Sequence, residues 1–360
     1  MKNICFLIAS ISNPGGTERM ALLIASKLAE SGLNVAILSI CNGDIPFFYV
    51  DDRVTLASLY EEEKSLTLNF LPITMKIRAY LKNNNINVIV DVDTMLSLFS
   101  IPALLGLNVK HISWEHFNFF ANSDNFKRRL SRRCAALFSD TVVTLTERDR
   151  KFWLDNTRCR AEIISINNPS PFEYDKVNCD FSYDLNSKIV LSIGRLTYQK
   201  GFDLLIEAWK KIQHHSNGWK LYIVGDGEDE KKLKELITDY QLYDSVNFFE
   251  STNDISSYYE AASIYCMSSR YEGLPMVLIE ACFHGLPIVS FDCDTGPSEV
   301  VLNCHTGLLC KNGDISSLAN GLTRMINNSE ERYEFSKNAY EQSKKFNINK
   351  ILGEWLKLIG

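Results

Sequence analysis

A chain of 360 residues is longer than one hydrophobic core usually serves, so two domains are expected. Its 46% hydrophobic and 23% charged residues are those of an ordinary soluble globular protein. A formal charge of -6 argues against a general nucleic-acid binder, because neutralising phosphates needs a cationic surplus.

The start "MKNICFLIAS" reads as a first buried strand and not as a secretion signal, since it runs into "NPGGTE" without a small-residue cleavage site. The helical "ERMALLIASKLAESG" follows, then "NVAILSI" as the next strand, and later "INVIVDVD", "VKHISW" and "DTVVTL". Strands that are apolar throughout, separated by helices, predict a parallel sheet covered on both faces. Pro, Asn, Asp and Ser then cluster without periodic hydrophobics in "INNPSPFEYDKVNCDFSYDLNSK", which predicts a linker over 171–187. The rhythm restarts with "IVLSIG", "GFDLLIEAWKKIQ", "KLYIVGDG", "KKLKELITDY", "SVNFFE", "ISSYYEAA", "IYCMSS", "PMVLIEACFHG" and "PIVSFD". The expected organisation is an N-terminal domain over 1–170, a second Rossmann-like domain over 188–343, and an amphipathic tail helix over 344–360 that packs back on the first. No stretch approaches the ~20 apolar residues of a membrane helix. The ten cysteines form no Cys-x-x-Cys pair and sit mostly in aliphatic runs, so free thiols in a reducing cytoplasm fit better than disulfides or zinc.

Four segments fall where strands should end, which is where ligands bind in doubly wound sheets. In "SNPGGTER", Gly15 and Gly16 precede a helix expected to start near Thr17 or Glu18; they let backbone N–H groups approach an anion, or equally make a tight turn. In "SIGRLTYQKGFDLLIEA", Gly194 ends a strand, and Arg195 and Lys200 beside a helix start suit a diphosphate clamp, or are surface charges on a loop, with Asp203 as a cap or dipole partner. In "YIVGDGEDEKKLKEL" the acids favour a helix N-terminus and pair with the following lysines, a structural role. In "SSRYEGLPMVLIEA", Pro275 suits a first helical turn, so Glu272 and Gly273 lie in the loop and Glu280 inside the helix. Carboxylates on both sides of a helix N-terminus suit a ligand laid out as polyol, anion, polyol, such as a sugar joined to a ribose through a diphosphate.

That last segment resembles the Glu-x7-Glu motif of retaining nucleotide-sugar glycosyltransferases with the GT-B fold. "GRLTYQKG", "IVGDG", "NPGGTE" and "GLPIVSFDCDTGPSEVV" are similar to the same family's other segments in matching order along essentially the whole chain. The resemblance implies an α/β GT-B architecture of two doubly wound, Rossmann-like parallel-sheet domains facing a central cleft. It implies that Arg195 and Lys200 hold the diphosphate and that Glu272 contacts donor-sugar hydroxyls. Gly273, Leu274, Pro275 and Met276 would lie near the phosphate, Glu280 on the ribose, and Gly15, Gly16 and Gly194 near the donor. Phe248, Phe249 and Ser251 are candidates for the base. A histidine at the end of a first-domain strand lies by the donor sugar in related enzymes, and His116 is favoured over His111. His214 and His215 read as exposed helix-end residues, and His284 and His305 as turn or packing residues.

Two Asp-x-Asp triplets, at 91–93 and 292–294, invite a metal, yet each ends an apolar strand and the Arg/Lys clamp already supplies positive charge, so neither metal nor cofactor is expected. In "NFFANSDNFKRRLSRRC", Lys127, Arg128, Arg129, Arg132 and Arg133 stand among aromatic residues. They suit an anionic membrane surface or a lipid-diphosphate acceptor, or a solvated helix face. The expected activity is retaining transfer of a hexose or N-acetylhexosamine from a UDP-sugar to a glycan, free or linked to polyprenyl diphosphate, in cell-surface polysaccharide synthesis. The resemblance places this on the cytosolic face of the membrane, with the protein peripheral on the inner leaflet. A nucleotide-sugar sensor or scaffold without transfer, or a same-fold isomerase or hydrolase, are the alternatives.

Overall fold

The computed structural model describes residues 2–172, 183–213, 218–252 and 254–360. The chain forms two compact units, Met1–Pro169 with Asn349–Gly360, and Ser170–Ile348. Of the expected linker over 171–187, residues 173–182 lie outside the described residues, as do His214 and His215.

The first unit is built on a seven-stranded parallel sheet. Its strands are β1 (Asn3–Ile8), β2 (Asn34–Ser39), β3 (Thr55–Ser58), β4 (Val88–Val92), β5 (Lys110–Trp114), β6 (Thr141–Thr144) and β7 (Glu162–Ser165), in the order β3-β2-β1-β4-β5-β6-β7. Ile4 faces Val35 on one side and Val88 on the other, and β1, β2 and β4 are buried almost throughout. That is why their sequences show no polar alternation. Helix α1 (Gly16–Glu30) starts one residue before the expected position, with Gly15 as its N-cap. The connections continue with α2 (Phe70–Asn83), α3 (Ser97–Leu104), α4 (Phe126–Phe138) and α5 (Glu147–Asn156). Further along the chain, the tail helix rejoins this unit: its Trp355 ring packs at 4.8 Å from Trp114 and 6.3 Å from Phe6. Lys2 and Lys110 donate to the carbonyls of Ile359 and Leu358 at 2.8 and 2.5 Å, satisfying acceptors that a helix end leaves open.

The second unit carries β8 (Ile189–Ile193), β9 (Lys220–Val224), β10 (Val246–Phe249), β11 (Ile264–Met267), β12 (Ile288–Asp292) and β13 (Gly307–Lys311), all parallel, in the order β10-β9-β8-β11-β12-β13. Helix α6 (Phe202–Ile212) buries Phe202, Leu205, Ile206, Trp209 and Ile212, one helical stripe, against this sheet. The other helices are α7 (Glu230–Asp239), α8 (Ser256–Ala261), α9 (Met276–Phe283), α10 (Pro297–Val300), α11 (Ile315–Asn327), α12 (Ser329–Ser343) and, completing the chain in the first unit, α13 (Ile348–Ile359). The two parallel-sheet α/β units are those of the GT-B fold. Among the described residues no helix is long and apolar enough to cross a membrane.

In each sheet the chain order reverses once, between β1 and β4 and between β8 and β11. The loops leaving the carboxyl ends of such neighbours diverge and open a crevice there. "GRLTYQKG" leaves β8 and "SSRYEGLP" leaves β11, so sheet topology alone brings together two segments some seventy positions apart.

Candidate active site

In the second unit, β8 and β11 are direct neighbours, with Ile264 opposite Val190 and Tyr265 opposite Leu191. Beyond their ends Lys200 Nζ meets Glu272 Oε1 at 2.7 Å. The Glu272 side chain is nearly buried and that of Lys200 is about one-fifth exposed, so the lysine helps to compensate the buried carboxylate. Gly201 takes φ +64 at the start of α6 because a Cβ there would run into the carbonyl oxygen of Ser268. Arg195 stands exposed on the same loop as Lys200.

Pro275 is the N-cap of α9, one residue earlier than expected, and Met276 opens the helix. Gly273 and Leu274 form the turn between Glu272 and that cap; Leu278 N donates to the Pro275 carbonyl at 3.0 Å, while Met276 and Val277, the first two residues of α9, have no preceding turn to bond. The turn is buttressed from behind. Thr295 Oγ1 donates to the Glu272 carbonyl at 2.5 Å, and Gly296, at φ +98, lies so close to Gly273 and Pro275 that no side chain would fit. This explains the Thr-Gly-Pro run of "DTGPSE". Glu280 lies within α9, buried, and accepts a hydrogen bond from the Tyr259 hydroxyl at 2.8 Å.

Arg270 was missed by the sequence reading. Its guanidinium forks onto Asp203 at 2.9 and 2.7 Å; Asp203 is not the cap, which is Gly201, but stands in the first turn of α6 as a dipole partner would, and is an ion-pair partner besides. Burial alone would raise the Asp203 pKa, but hydrogen bonds from Arg270 and its charge outweigh that and leave it lowered.

In the first unit, His116 follows β5 with its ring 4.3 Å from Trp114. It is 8% exposed, and its Nε2 is buried without a hydrogen-bond partner among the described residues. Burial lowers its pKa to about 3, so it is a neutral imidazole at physiological pH. A buried polar atom left open suits a residue awaiting a ligand. His111, by contrast, is committed inside the sheet, with Nε2 2.7 Å from Asp91 Oδ2 and 3.0 Å from Ser100 Oγ. Asp93, the other acid of that triplet, instead pairs with Arg128 at 2.7 Å. Among the described residues no group of three His, Cys, Asp or Glu side chains could hold a metal ion.

The basic cluster of α4 is corrected. Lys127, Arg129 and Arg133 are exposed, but Arg128 is turned toward Asp93 and Glu115, and Arg132 is 2% exposed. Arg132 Nε donates to the fully buried Glu115 at 3.0 Å, and its Nη atoms donate to the carbonyls of Asn118, Phe119 and Ala121. Arg128 and Arg132, one helical turn apart, therefore both face inward, and Arg132 holds the loop carrying His116. Asp149 grips the same loop by accepting from Phe119 N at 2.7 Å. Burial and the Glu115 charge raise Asp149 to about 7 and Asp93 to about 6.

Residues 14–169 match the family model for Glycosyltransferase Family 4, and residues 180–342 match that for Glycosyl transferases group 1. A Haemophilus influenzae protein described as an uncharacterized glycosyltransferase is 39% identical over 355 residues, covering 99% of both chains. The protein is a glycosyltransferase. It is also similar, at 28% identity over 100% of this chain and 98% of the relative, to a Campylobacter jejuni enzyme. That relative is named as an α-1,4-N-acetyl-D-galactosaminyltransferase acting on a GalNAc-containing glycan on diphospho-undecaprenol. The solved structure of Anabaena HepE in complex with UDP superposes with a TM-score of 0.81 at 20% identity, covering 100% of this chain and 99% of the other.

Elsewhere in this glycosyltransferase, the candidate base region is ordered by aromatic contacts. Phe249 packs on Tyr222 and Tyr258 at 4.8 and 5.3 Å, Lys234 lies 6.0 Å from the Phe248 ring, and Ser251 is tied to Asp226. Of the "EDEKK" acids, Glu230 acts as expected, standing in the first turn of α7 and pairing with Lys234 at 2.5 Å. His284 stacks on Tyr259, and burial lowers its pKa to about 4, a packing role.

Proposed function

We propose that this glycosyltransferase moves a hexosyl or N-acetylhexosaminyl group from a UDP-sugar to a glycan acceptor carried on polyprenyl diphosphate, with retention of anomeric configuration and without a metal. The observation that carries the reading is the Lys200–Glu272 pair at the reversal point of the second sheet, beside the N-terminus of α9. Lys200 and Arg195 neutralise the charge that develops on the departing diphosphate, with help from the backbone N–H groups of Gly273, Leu274 and Met276 around the N-terminus of α9. Glu272 accepts from donor-sugar hydroxyls and Glu280 from the ribose. Attack comes from the face the diphosphate leaves: the bond from C1 to the diphosphate oxygen breaks, the bond to the acceptor oxygen forms, and the acceptor proton passes to the departing phosphate. Neutral His116 offers a hydrogen bond to a ligand at the end of β5, and Gly16, where a Cβ would meet nothing within 4 Å, leaves room for an anion to approach the start of α1, whereas the Glu18 carboxylate lies against Gly15. The α-linkage and diphospho-undecaprenol glycan named for the Campylobacter relative, and the UDP bound by the Anabaena enzyme, support the donor and acceptor classes. The exposed Lys127, Arg129 and Arg133, beside Phe126 and Leu130, favour docking on an anionic inner leaflet in surface-polysaccharide assembly.

Incubation with labelled UDP-sugars and membrane lipid extract tests this reading. Label is expected to enter lipid, and Lys200→Ala or Glu272→Ala to lower turnover by about 10²–10³-fold, the usual effect of removing one charge-stabilising group, with the fold intact. Near-normal rates in both variants, or binding without turnover as a sensor would give, refute it.

A further inference from the structure

The loops bearing Lys200 and Glu272 are separate in sequence, yet the two charges meet at 2.7 Å. Arg270 ties them. Its Nη1 donates to the Tyr198 carbonyl at 2.7 Å and to Asp203 Oδ1 at 2.9 Å, while Nη2 donates to Asp203 Oδ2 at 2.7 Å. Its guanidinium lies 4.0 Å from the centre of the Tyr198 ring. The backbones are joined as well: Arg270 N donates to the Gln199 carbonyl at 2.8 Å, Gln199 Nε2 to the Tyr271 carbonyl at 3.0 Å, and Ser268 Oγ to the Lys200 carbonyl at 3.1 Å. Every residue from Tyr198 to Lys200 is thereby bonded to a partner in 268–271. Among these bonds, those of Arg270 reach both the turn before Lys200 and the helix after it.

We propose that Arg270 is a positioning residue that fixes the β8–α6 loop against the β11–α9 loop, so that Lys200 is aimed at the β-phosphate of a nucleoside diphosphate while Glu272 remains its partner. A planar five-donor fork is needed for this, because one group must serve two carboxylate oxygens and a carbonyl in fixed directions while stacking on a ring; an ammonium cannot. The side chains of Arg270 and Asp203 are about one-fifth and one-quarter exposed, and ion pairs so placed contribute little to global stability. What Arg270 does is therefore read in ligand geometry more than in melting temperature. The inference rests on the reading of Lys200 as a diphosphate contact.

The test uses the full-length protein and two probes, UMP and UDP, with the ratio of their dissociation constants reporting what the second phosphate adds. In the parent protein UDP is expected to bind more tightly. Lys200→Ala is expected to reduce that ratio by about tenfold or more, the worth of one charge-assisted hydrogen bond. Arg270→Ala is expected to reduce it comparably while leaving UMP affinity within about twofold, since the lost contact is to the second phosphate alone. Millimolar guanidinium should restore the ratio in Arg270→Ala but not in Lys200→Ala, and Arg270→Lys should recover it only in part. An unchanged ratio in Arg270→Ala alongside a collapsed one in Lys200→Ala overturns this inference alone. A parent ratio near one, or one unaffected by Lys200→Ala, overturns the underlying reading of the site. Loss of UMP binding in Arg270→Ala would mark a general structural role and also overturn the proposal.

Discussion

Replacing Arg132 by Met keeps the aliphatic stem and deletes the charge that compensates Glu115. Glu115 is fully buried, receives Arg132 Nε at 3.0 Å and Thr94 Oγ1 at 2.8 Å, and has Arg128 only at 3.5 Å. Breaking a buried pair by removing one partner costs about 3–5 kcal/mol, because an uncompensated charge is left behind. Three loop carbonyls, of Asn118, Phe119 and Ala121, lose their donor at the same time. At about 2–4 °C per kcal/mol for a unit of this size, the first unit should melt roughly 6–20 °C lower. The loss comes from the uncompensated Glu115 charge, so Arg132→Met/Glu115→Gln should recover much of it. Calorimetry of the intact protein measures both. Charge reversal at the exposed Lys127, Arg129 and Arg133 is the control: it should weaken binding to anionic vesicles without a comparable fall in melting temperature. If Arg132→Met melts like Arg133→Met, Arg132 is not the internal brace described here.

Asp149 and Asp93, raised to about 7 and about 6, stand well above an unfolded carboxyl near 3.9. Their protonated forms stabilise the folded state below the unfolded pKa, and this is lost as pH rises through about 6–7, opposite in sign to an ordinary paired carboxylate. Asp149→Asn, which keeps an acceptor for Phe119 N, should flatten that part of the melting temperature against pH profile; an unaltered slope counts against the assignment. Gly16→Ala should be neutral or stabilising, since a Cβ there meets nothing within 4 Å and alanine is the better helix former. Its UDP affinity should nonetheless fall, and retained affinity would remove Gly16 from the donor site.

The continuous apolar runs that became β1, β4, β5, β8 and β11 declared themselves in the sequence because both faces of those strands are covered. The strands it did not declare are the short outer ones. β3 is "TLAS", β7 is "EIIS" and β13 is "GLLCK", four or five residues each, with exposed ends and no periodicity of their own. Sheet membership for them comes from a paired neighbour.

Among site residues, placements that depend on the local backbone were legible: Pro275 within one residue of a helix start, Glu272 in the turn before it and Glu280 inside the helix. Local chain geometry decides such placements over a few residues, so the order of residue types carries them. The destination of a charge was not legible. Arg270 finds Asp203 sixty-seven positions away, Arg132 finds Glu115 seventeen away, and His111 is drawn to Asp91 while His116 keeps an open nitrogen. Such pairings are set by which strand ends lie side by side and how deeply each group is buried, because the cost of desolvating a charge, which only the packed structure fixes, selects its partner.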